Sequence, residues 1–236
     1  MKSVFGNRKL VISVFVILIL VSTALALGPL VFSLVMGRGV KTEPMNLDRV
    51  KAASTELDGQ WNVVKGSPYN FTSAGFTIDE ILPADKRTTS GSTKEVTGQA
   101  TISDSVVEEA TITVDMTSLT TDKKVRDQNM KTKLFEVAKY PESTFELTEP
   151  ADLSSVPDDA SPATIPLTGN LTIHGETQKV TTDFQVVRDG DTIILGGDIP
   201  INRLDFGIET PEMIAAKISE VGDVNVRVTL QKSVSY

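Results

Sequence analysis

The chain has 236 residues, enough for one large all-β domain or for a smaller domain with an appendage. After residue 36, 20 basic residues face 31 acidic ones. This balance excludes a nucleic-acid-binding protein, because affinity for nucleic acid depends mostly on positive charge. The chain has no cysteine and one histidine, His174, which excludes disulfides, thiolate nucleophiles and a zinc site built from several histidines.

The N-terminus combines a basic tail, residues 1–9, with 27 uncharged residues, 10–36. A membrane-spanning helix needs about 20 apolar residues, whereas a cleavable signal has an apolar core of about 7 to 15. The longer run therefore predicts an uncut transmembrane anchor in a single-pass protein of the cell membrane. Lys2, Arg8 and Lys9 precede the span, which predicts a cytoplasmic N-terminus and an extracytoplasmic C-terminal domain. The alternative is cleavage after Ala26, which would release a secreted protein.

A polar segment, residues 37–57, follows the apolar run and contains Pro44. Its mixed composition predicts a stalk or short irregular helix that sets the domain off the membrane. The folded domain is then expected to occupy residues 58–236.

From Trp61 onward, apolar and polar residues alternate with a period of two, which is typical of antiparallel strands with one apolar face. We predict a short lead-in strand at 61–64 and eight strands near 75–82, 94–103, 107–117, 143–149, 165–174, 178–187, 191–200 and 223–232. Arg188–Asp191 favours a hairpin turn. Eight antiparallel strands can close into a barrel just wide enough for one ligand. A packed sandwich accounts for the same alternation.

Three stretches interrupt the strand pattern. Residues 122–135 carry mixed charges among spaced apolar residues and predict a short helix. Thr210, followed by Pro211 and an acid, predicts the start of a second helix that ends before Gly222. The stretch from Pro150 to Pro166 contains four prolines and predicts a surface loop.

Four segments carry a family resemblance. They are Gly59–Val63 with Gly66-Ser67; Val114–Met116 with Leu119-Thr120, Arg126-Asp127 and Tyr140-Pro141 through Phe145; Gly169–Gly175; and Ile201–Ile208. In this order they resemble the YceI-like family of lipid- or polyisoprenoid-binding proteins, over about residues 58–232. Trp61 with Gly66-Ser67 looks closer to the actinobacterial branch of that family, and the membrane anchor is an addition to its usual arrangement.

The resemblance implies an all-β, lipocalin-like barrel with an elongated apolar cavity. It also implies a ligand, a polyisoprenoid or isoprenoid quinone-like lipid, held for storage or transport at the outer side of the membrane, without catalysis and without a cofactor. We expect eight apolar side chains to line the cavity: Phe76, Ile78, Ile112, Val114, Phe145, Phe184, Val226 and Val228.

Arg126 and His174 are the candidates for contact with a lipid headgroup. A guanidinium suits phosphate or carboxylate, and His174 ends an alternating strand at the expected mouth of the barrel. Each residue also has a structural interpretation. Arg126 could form an ion pair that holds the short helix on the barrel, and His174 could form a hydrogen bond beside a turn.

Two other functions fit the same sequence. One is a structural or stress-related extracytoplasmic domain whose interior is filled by its own side chains. The other is an enzyme acting inside the barrel, which would require a carboxylate pair in the cavity with raised pKa values. The acids Asp115, Glu146 and Asp183 alternate into strands, but the pattern places them on the outer face.

Overall fold

The computed structural model describes residues 8–35, 37–82, 85–210 and 217–233. A single long helix, α1 (Arg8–Val35), precedes the β-domain. Within it, Arg8–Gly28 is long and apolar enough to cross a membrane, and none of that segment is buried against the protein. An N-terminal signal sequence would meet the same criterion.

The β-domain contains eleven strands among the described residues. They are β1 (Gly59–Val64), β2 (Ser73–Leu82), β3 (Asp85–Thr93), β4 (Val96–Ser103), β5 (Val106–Asp115), β6 (Glu142–Leu147), β7 (Ala151–Asp152), β8 (Ala163–Ile173), β9 (Glu176–Asp189), β10 (Thr192–Asn202) and β11 (Lys217–Lys232). One short helix, α2 (Lys124–Asn129), continues into a π-helical turn, Met130–Leu134. Two 3₁₀ turns, Met116–Ser118 and Arg203–Phe206, complete the list.

Eight of these strands form a closed antiparallel barrel, as predicted. The hydrogen-bonded order runs β1, β4, β5, β6, β8, β9, β10, β11, and β11 then pairs with β1. Closure leaves these strands without a free edge. The predicted lead-in strand is the one that closes the ring, whereas β2 and β3 form a hairpin that extends the wall from the first half of β11.

The two ends of the barrel differ. One end, called here the α2 end, carries the connection 116–141 between β5 and β6, the turn at His174-Gly175 and the turn at Arg203–Gly207. The other, called the Gly190 end, carries the predicted β9–β10 hairpin turn at Gly190, the β4–β5 turn and the connection after β6. Leu153 and Val156 in that connection are 4% and 5% exposed, so they close the Gly190 end with apolar side chains.

The third strand was not predicted, because its sequence has no apolar residue. β3 pairs with β2 over Ala74–Leu82, and its hydroxyl side chains are nevertheless buried, Thr89 at 3% and Ser90 at 4% exposure. The Ser90 hydroxyl lies 3.0 Å from that of Thr77 on the neighbouring strand. A periodicity argument detects burial only through apolar residues and therefore misses a strand that is buried through hydrogen-bonded hydroxyls.

Two further predictions need correction. The stretch from Pro150 to Pro166 is not all loop, since it contains the short strand β7, which pairs with β5, and the start of β8. The helix predicted from Thr210 falls mainly outside the described residues, but its predicted extension towards Gly222 is wrong. Residues 217–221 belong to β11, which pairs with β2 and β10 there.

The polar segment 37–57 is not a free stalk but a belt on the outside of the barrel. Val40 N–H donates to Ser90 O at 3.0 Å, and Ser90 N–H donates to Arg38 O at 2.9 Å. Further along, Ser54 N–H donates to Gly190 O at 2.8 Å. The belt therefore runs from near the α2 end to the Gly190 end.

Polar side chains on the outer face are buried beneath this belt. Asn70, 3% exposed, bonds to both the N–H and the carbonyl of Asn46, each at 2.8 Å. Arg227, 6% exposed, donates to Phe71 O and Pro44 O, and burial lowers the pKa of its guanidinium. These groups satisfy belt carbonyls and amides that would otherwise lie unpaired against the sheet.

Candidate functional site

The barrel encloses an elongated cavity with an almost entirely apolar lining. Along β11 its wall extends from Gly222 to Leu230, a strand length of about 26 Å at 3.3 Å per residue. The volume open to the centre of a water-sized sphere is about 190 Å³, whereas a single water needs only about 10–15 Å³. The interior is therefore not filled by its own side chains.

Inward-facing residues show where the free volume lies. On β11, Leu230 and Val228 are 5% and 0% exposed, whereas Val226 and Val224 are half-buried although they point inward. On β5, Val107 is buried near the Gly190 end, and Ile112 towards the α2 end is again half-buried. The barrel is thus tightly packed towards the Gly190 end and open inside towards the α2 end.

All eight apolar residues predicted to line the cavity do lie on its wall: Phe76, Ile78, Ile112, Val114, Phe145, Phe184, Val226 and Val228. Strand alternation was sufficient to place the six on barrel strands, because in a closed barrel one face of every strand must point inward. Phe76 and Ile78 lie on β2, which extends the same wall from β11. Contact of these side chains with a lipid stays a prediction.

Three of the wall phenylalanines pack over glycines of neighbouring strands. A Cβ added to Gly91, Gly169 or Gly197 would lie 2.7, 2.4 or 2.8 Å from a ring atom of Phe76, Phe145 or Phe184, respectively. Because glycine has no side chain, each ring can lie flat against the sheet in the space that a Cβ atom would fill. The rings therefore do not project towards the barrel axis. These glycines were not predicted as part of the site, although a glycine inside a strand pattern is itself a signal of close approach.

Two buried hydroxyls among the described residues have no hydrogen-bond partner, those of Ser143 and Thr89. Ser143 is 8% exposed and lines the cavity opposite Val114, in the half nearer the α2 end. An unpaired buried hydroxyl costs about 1–3 kcal/mol, and a ligand with a hydrogen-bond acceptor could relieve that cost. Ser143 was not predicted as part of the site, since it is a lone serine near the start of a strand.

Arg203 and Asp223 are the titratable residues among the described lining. The Arg203 guanidinium donates to Ser219 O at 3.0 Å and to Ile208 O, so it ties together the strand ends and serves the fold. Asp223 pairs across the ladder with Thr77, and burial, followed by repulsion from Asp198, raises the pKa of its carboxyl. A single carboxylate at the rim is not the carboxylate pair that catalysis inside the barrel would require.

Arg126 and His174 lie at the α2 end, but neither is part of the cavity lining. Arg126 forms an ion pair with Asp122 and donates to Gly37 O at 3.0 Å. His174 Nε2 lies 3.1 Å from a Glu136 carboxylate oxygen, in a turn where both His174 and Gly175 have positive φ. These contacts match the structural interpretation of each residue, and a headgroup contact stays a prediction.

Among the residues that the structure describes, no three acidic or histidine side chains converge where a metal ion could bind.

Comparison with known proteins identifies the family to which the chain belongs. The family model for the YceI-like domain matches residues 61–230, which is most of the chain. The match omits only the first two residues of β1 and the last two residues of β11. The chain belongs to the YceI-like family.

Individual relatives agree on the fold. A polyisoprenoid-binding domain from Saccharophagus degradans, implicated in plant cell wall breakdown, superposes with a TM-score of 0.56 at 17% identity, over 73% of this chain and 98% of that one. BcnA from Burkholderia cenocepacia gives a TM-score of 0.50 at 20% identity, over 65% of this chain and 95% of that one. A UPF0312 protein of Enterobacter sp. (strain 638) is 31% identical over 104 residues, 43% of this chain. The match spans half the length of that relative.

Proposed function

We propose that this YceI-like protein binds a long-chain apolar lipid, a polyisoprenoid or an isoprenoid quinone-like molecule, in the barrel cavity. The observation that carries the proposal is the apolar cavity itself, which runs along the barrel and is only partly filled by side chains. Each CH₂ group moved from water into such a cavity contributes about 0.8 kcal/mol. A long hydrocarbon tail can therefore bind tightly without distinctive polar contacts.

A structural domain with a filled interior is the competing proposal, and the cavity argues against it. A filled barrel would bury Ile112, Val114, Val224 and Val226 completely, yet each is half-buried while facing inward. An apolar cavity of this kind excludes water and takes up apolar molecules.

The unpaired hydroxyl of Ser143 favours a lipid with a polar end over a plain hydrocarbon. A quinone carbonyl or an alcohol oxygen could accept its hydrogen bond, and the tail would then lie in the open half of the cavity beside Val224 and Val226. The function we propose is binding without chemical conversion, for storage or transport of the lipid.

The proposed location is the outer side of the cell membrane. The basic tail before α1 favours a cytoplasmic N-terminus, and α1 is long enough to span the bilayer. Cleavage after Ala26 would instead give a secreted protein with the same barrel.

A pair of adjacent substitutions on β5 tests the binding proposal. Ile112 lines the cavity, whereas its neighbour Thr113 faces the other way. Ile112→Trp should fill the cavity and reduce uptake of an added isoprenoid quinone by about tenfold or more, because several CH₂ groups of the ligand lose their site. Thr113→Trp should leave uptake unchanged. Native mass spectrometry of the full chain in detergent measures both, and equal uptake by the two variants would contradict the proposal.

A further inference from the structure

The surface at the α2 end of the barrel differs from the rest of the domain in two independent ways, in apolar exposure and in charge. Outside α1, large apolar side chains that are exposed among the described residues lie either on the belt and its neighbouring loop or at the α2 end. The four at the α2 end are Ile81 (42%), Val125 (68%), Leu204 (44%) and Val221 (64%). These four side chains lie on separate elements at the same end of the domain, where they are available for contact with a partner or a membrane.

The connection 116–141 at this end departs in charge from the domain as a whole. It carries six basic and three acidic residues, although acids outnumber bases in the domain and the exposed acids Glu176, Asp205 and Glu220 lie at the same end. Its acids are engaged within the fold: Asp122 with Arg126, Asp127 with Thr121, and Glu136 with His174. Lys124 and Lys133 are exposed, and neither has an ion-pair partner among the described residues.

The Gly190 end has the opposite character. Its exposed side chains include five aspartates, which are Asp104, Asp152, Asp158, Asp159 and Asp191. An anionic lipid surface would repel this end and attract the lysines of the other.

The chain itself holds the α2 end close to the anchor. α1 ends at Val35, and the Gly37 carbonyl already accepts a hydrogen bond from Arg126 beside α2, at 3.0 Å. The two Cα–Cα steps from Val35 to Gly37 span at most about 7.6 Å. A helix of 28 residues is about 42 Å long, close to the total bilayer thickness of about 40–45 Å including headgroups. If α1 crosses the bilayer, Gly37 lies within about 8 Å of the end of the span, and α2 is hydrogen-bonded to it through Arg126.

From these observations we propose that the barrel is seated with its α2 end on the outer surface of the bilayer that α1 crosses. Val125 and Val221 enter the headgroup layer, Lys124 and Lys133 contact lipid phosphates, and the open half of the cavity faces the leaflet. An apolar lipid then moves between leaflet and cavity without crossing bulk water. This seating rests on the proposed membrane anchoring by α1. It goes beyond that proposal by naming the α2 end as the contact surface and the lipid bilayer as its partner.

The absence of cysteine makes the seating directly measurable, since one introduced cysteine gives one labelling site. Val125→Cys and Val221→Cys place an environment-sensitive fluorophore at the α2 end, and Ser155→Cys places it on an exposed position near the Gly190 end. Each labelled full-length protein is reconstituted into vesicles of phosphatidylcholine and phosphatidylglycerol that contain a headgroup nitroxide lipid. Quenching at positions 125 and 221 should exceed that at 155 by about threefold or more, because quenching requires contact with the headgroup layer.

Equal quenching at the three positions would overturn the seating, as would failure of the protein to float with the vesicles. The double variant Lys124→Gln/Lys133→Gln should lower quenching at position 221 in vesicles with phosphatidylglycerol and not in phosphatidylcholine alone. Equal quenching in the two kinds of vesicle would overturn the role of the lysines.

Lipid extracted from the reconstituted protein separates the two proposals. Bound isoprenoid with uniform quenching refutes the seating alone, whereas selective quenching without isoprenoid refutes lipid binding alone.

Discussion

Asp223 is a residue at which the fold opposes ionisation. It lies on β11 near the rim, where partial burial and then the charge of Asp198 raise the pKa of its carboxyl, while Lys41 opposes the shift. A carboxyl with a raised pKa stabilises the folded state fully only below its unfolded pKa of about 3.9, and that contribution is lost as the pH rises.

We therefore expect Asp223→Asn to raise the melting temperature at pH 7. The gain should be on the order of 0.5 kcal/mol, or about 1–2 °C, after allowance for solvent screening at this partly exposed site. The gain should shrink below about pH 4, where the wild-type carboxyl is protonated in both states. Thermal melts from pH 3.5 to 8 measure this, with the exposed Asp183→Asn on β9 as control. A lower melting temperature of Asp223→Asn than of the wild type at pH 7 would contradict this, because it would mean that the ionised carboxylate stabilises the fold.

Ser143 is a second residue with an effect of predictable sign. Its hydroxyl is buried in the cavity wall without a partner, so Ser143→Ala should stabilise the ligand-free protein by about 1 kcal/mol. The same change should weaken binding of an isoprenoid quinone and leave binding of a plain isoprenoid hydrocarbon unaltered. Melts of the ligand-free protein and uptake of the two ligands check this. Equal loss of both ligands would mean that Ser143 shapes the cavity rather than binding a polar group.

At the scale of elements, the belt 37–57 covers polar groups of β2, β3 and β11. Asn70 carries much of this attachment, because its amide bonds to both backbone groups of Asn46. Asn70→Ala should lower the free energy of unfolding by about 2 kcal/mol, since buried backbone groups lose their partners. Asn170 on the outer face of β8 is only half-buried, and Asn170→Ala should cost less than about 0.5 kcal/mol.

Hydrogen exchange tests the same point locally. The Asn46 amide should exchange faster in Asn70→Ala and at the wild-type rate in Asn170→Ala. Similar rates and stabilities in both variants would show that the belt is held elsewhere.

Sequence reasoning succeeded for the elements whose burial is apolar and failed where burial is polar. Strands such as β5 and β11 were predicted because every second residue is apolar and points inward. β3 and the belt were missed because Ser90 and Asn70 are buried through hydrogen bonds to residues on other segments, Thr77 and Asn46. Pairing of that kind leaves no periodic signal in the chain.

The candidate site follows the same division. The eight wall residues were predictable from alternation, whereas the free volume was not, because it depends on which rings lie over Gly91, Gly169 and Gly197. Arg126 was considered for a headgroup contact on its chemistry alone, and only the fold shows that Asp122 and Gly37 occupy its guanidinium.

At the scale of the whole molecule, the proposed anchoring by α1 would place the apolar cavity beside the membrane, from which the proposed isoprenoid ligand would come. The side chains of the cavity wall are less tightly packed towards the α2 end than towards the Gly190 end, and the α2 end is covered by Met116, Leu119 and Phe135 as the Gly190 end is by Leu153 and Val156. The looser packing towards the α2 end is the feature on which the proposed exchange of lipid at that end depends.

Lipid binding is the central claim, and its most direct test is extraction of the full-length protein, purified from membranes, with organic solvent, followed by mass spectrometry of the extract. We predict a single class of isoprenoid lipid at close to one molecule per chain, retained through washes that remove bulk phospholipid. An extract without isoprenoid, from a protein that also fails to take up added isoprenoids, would contradict the account.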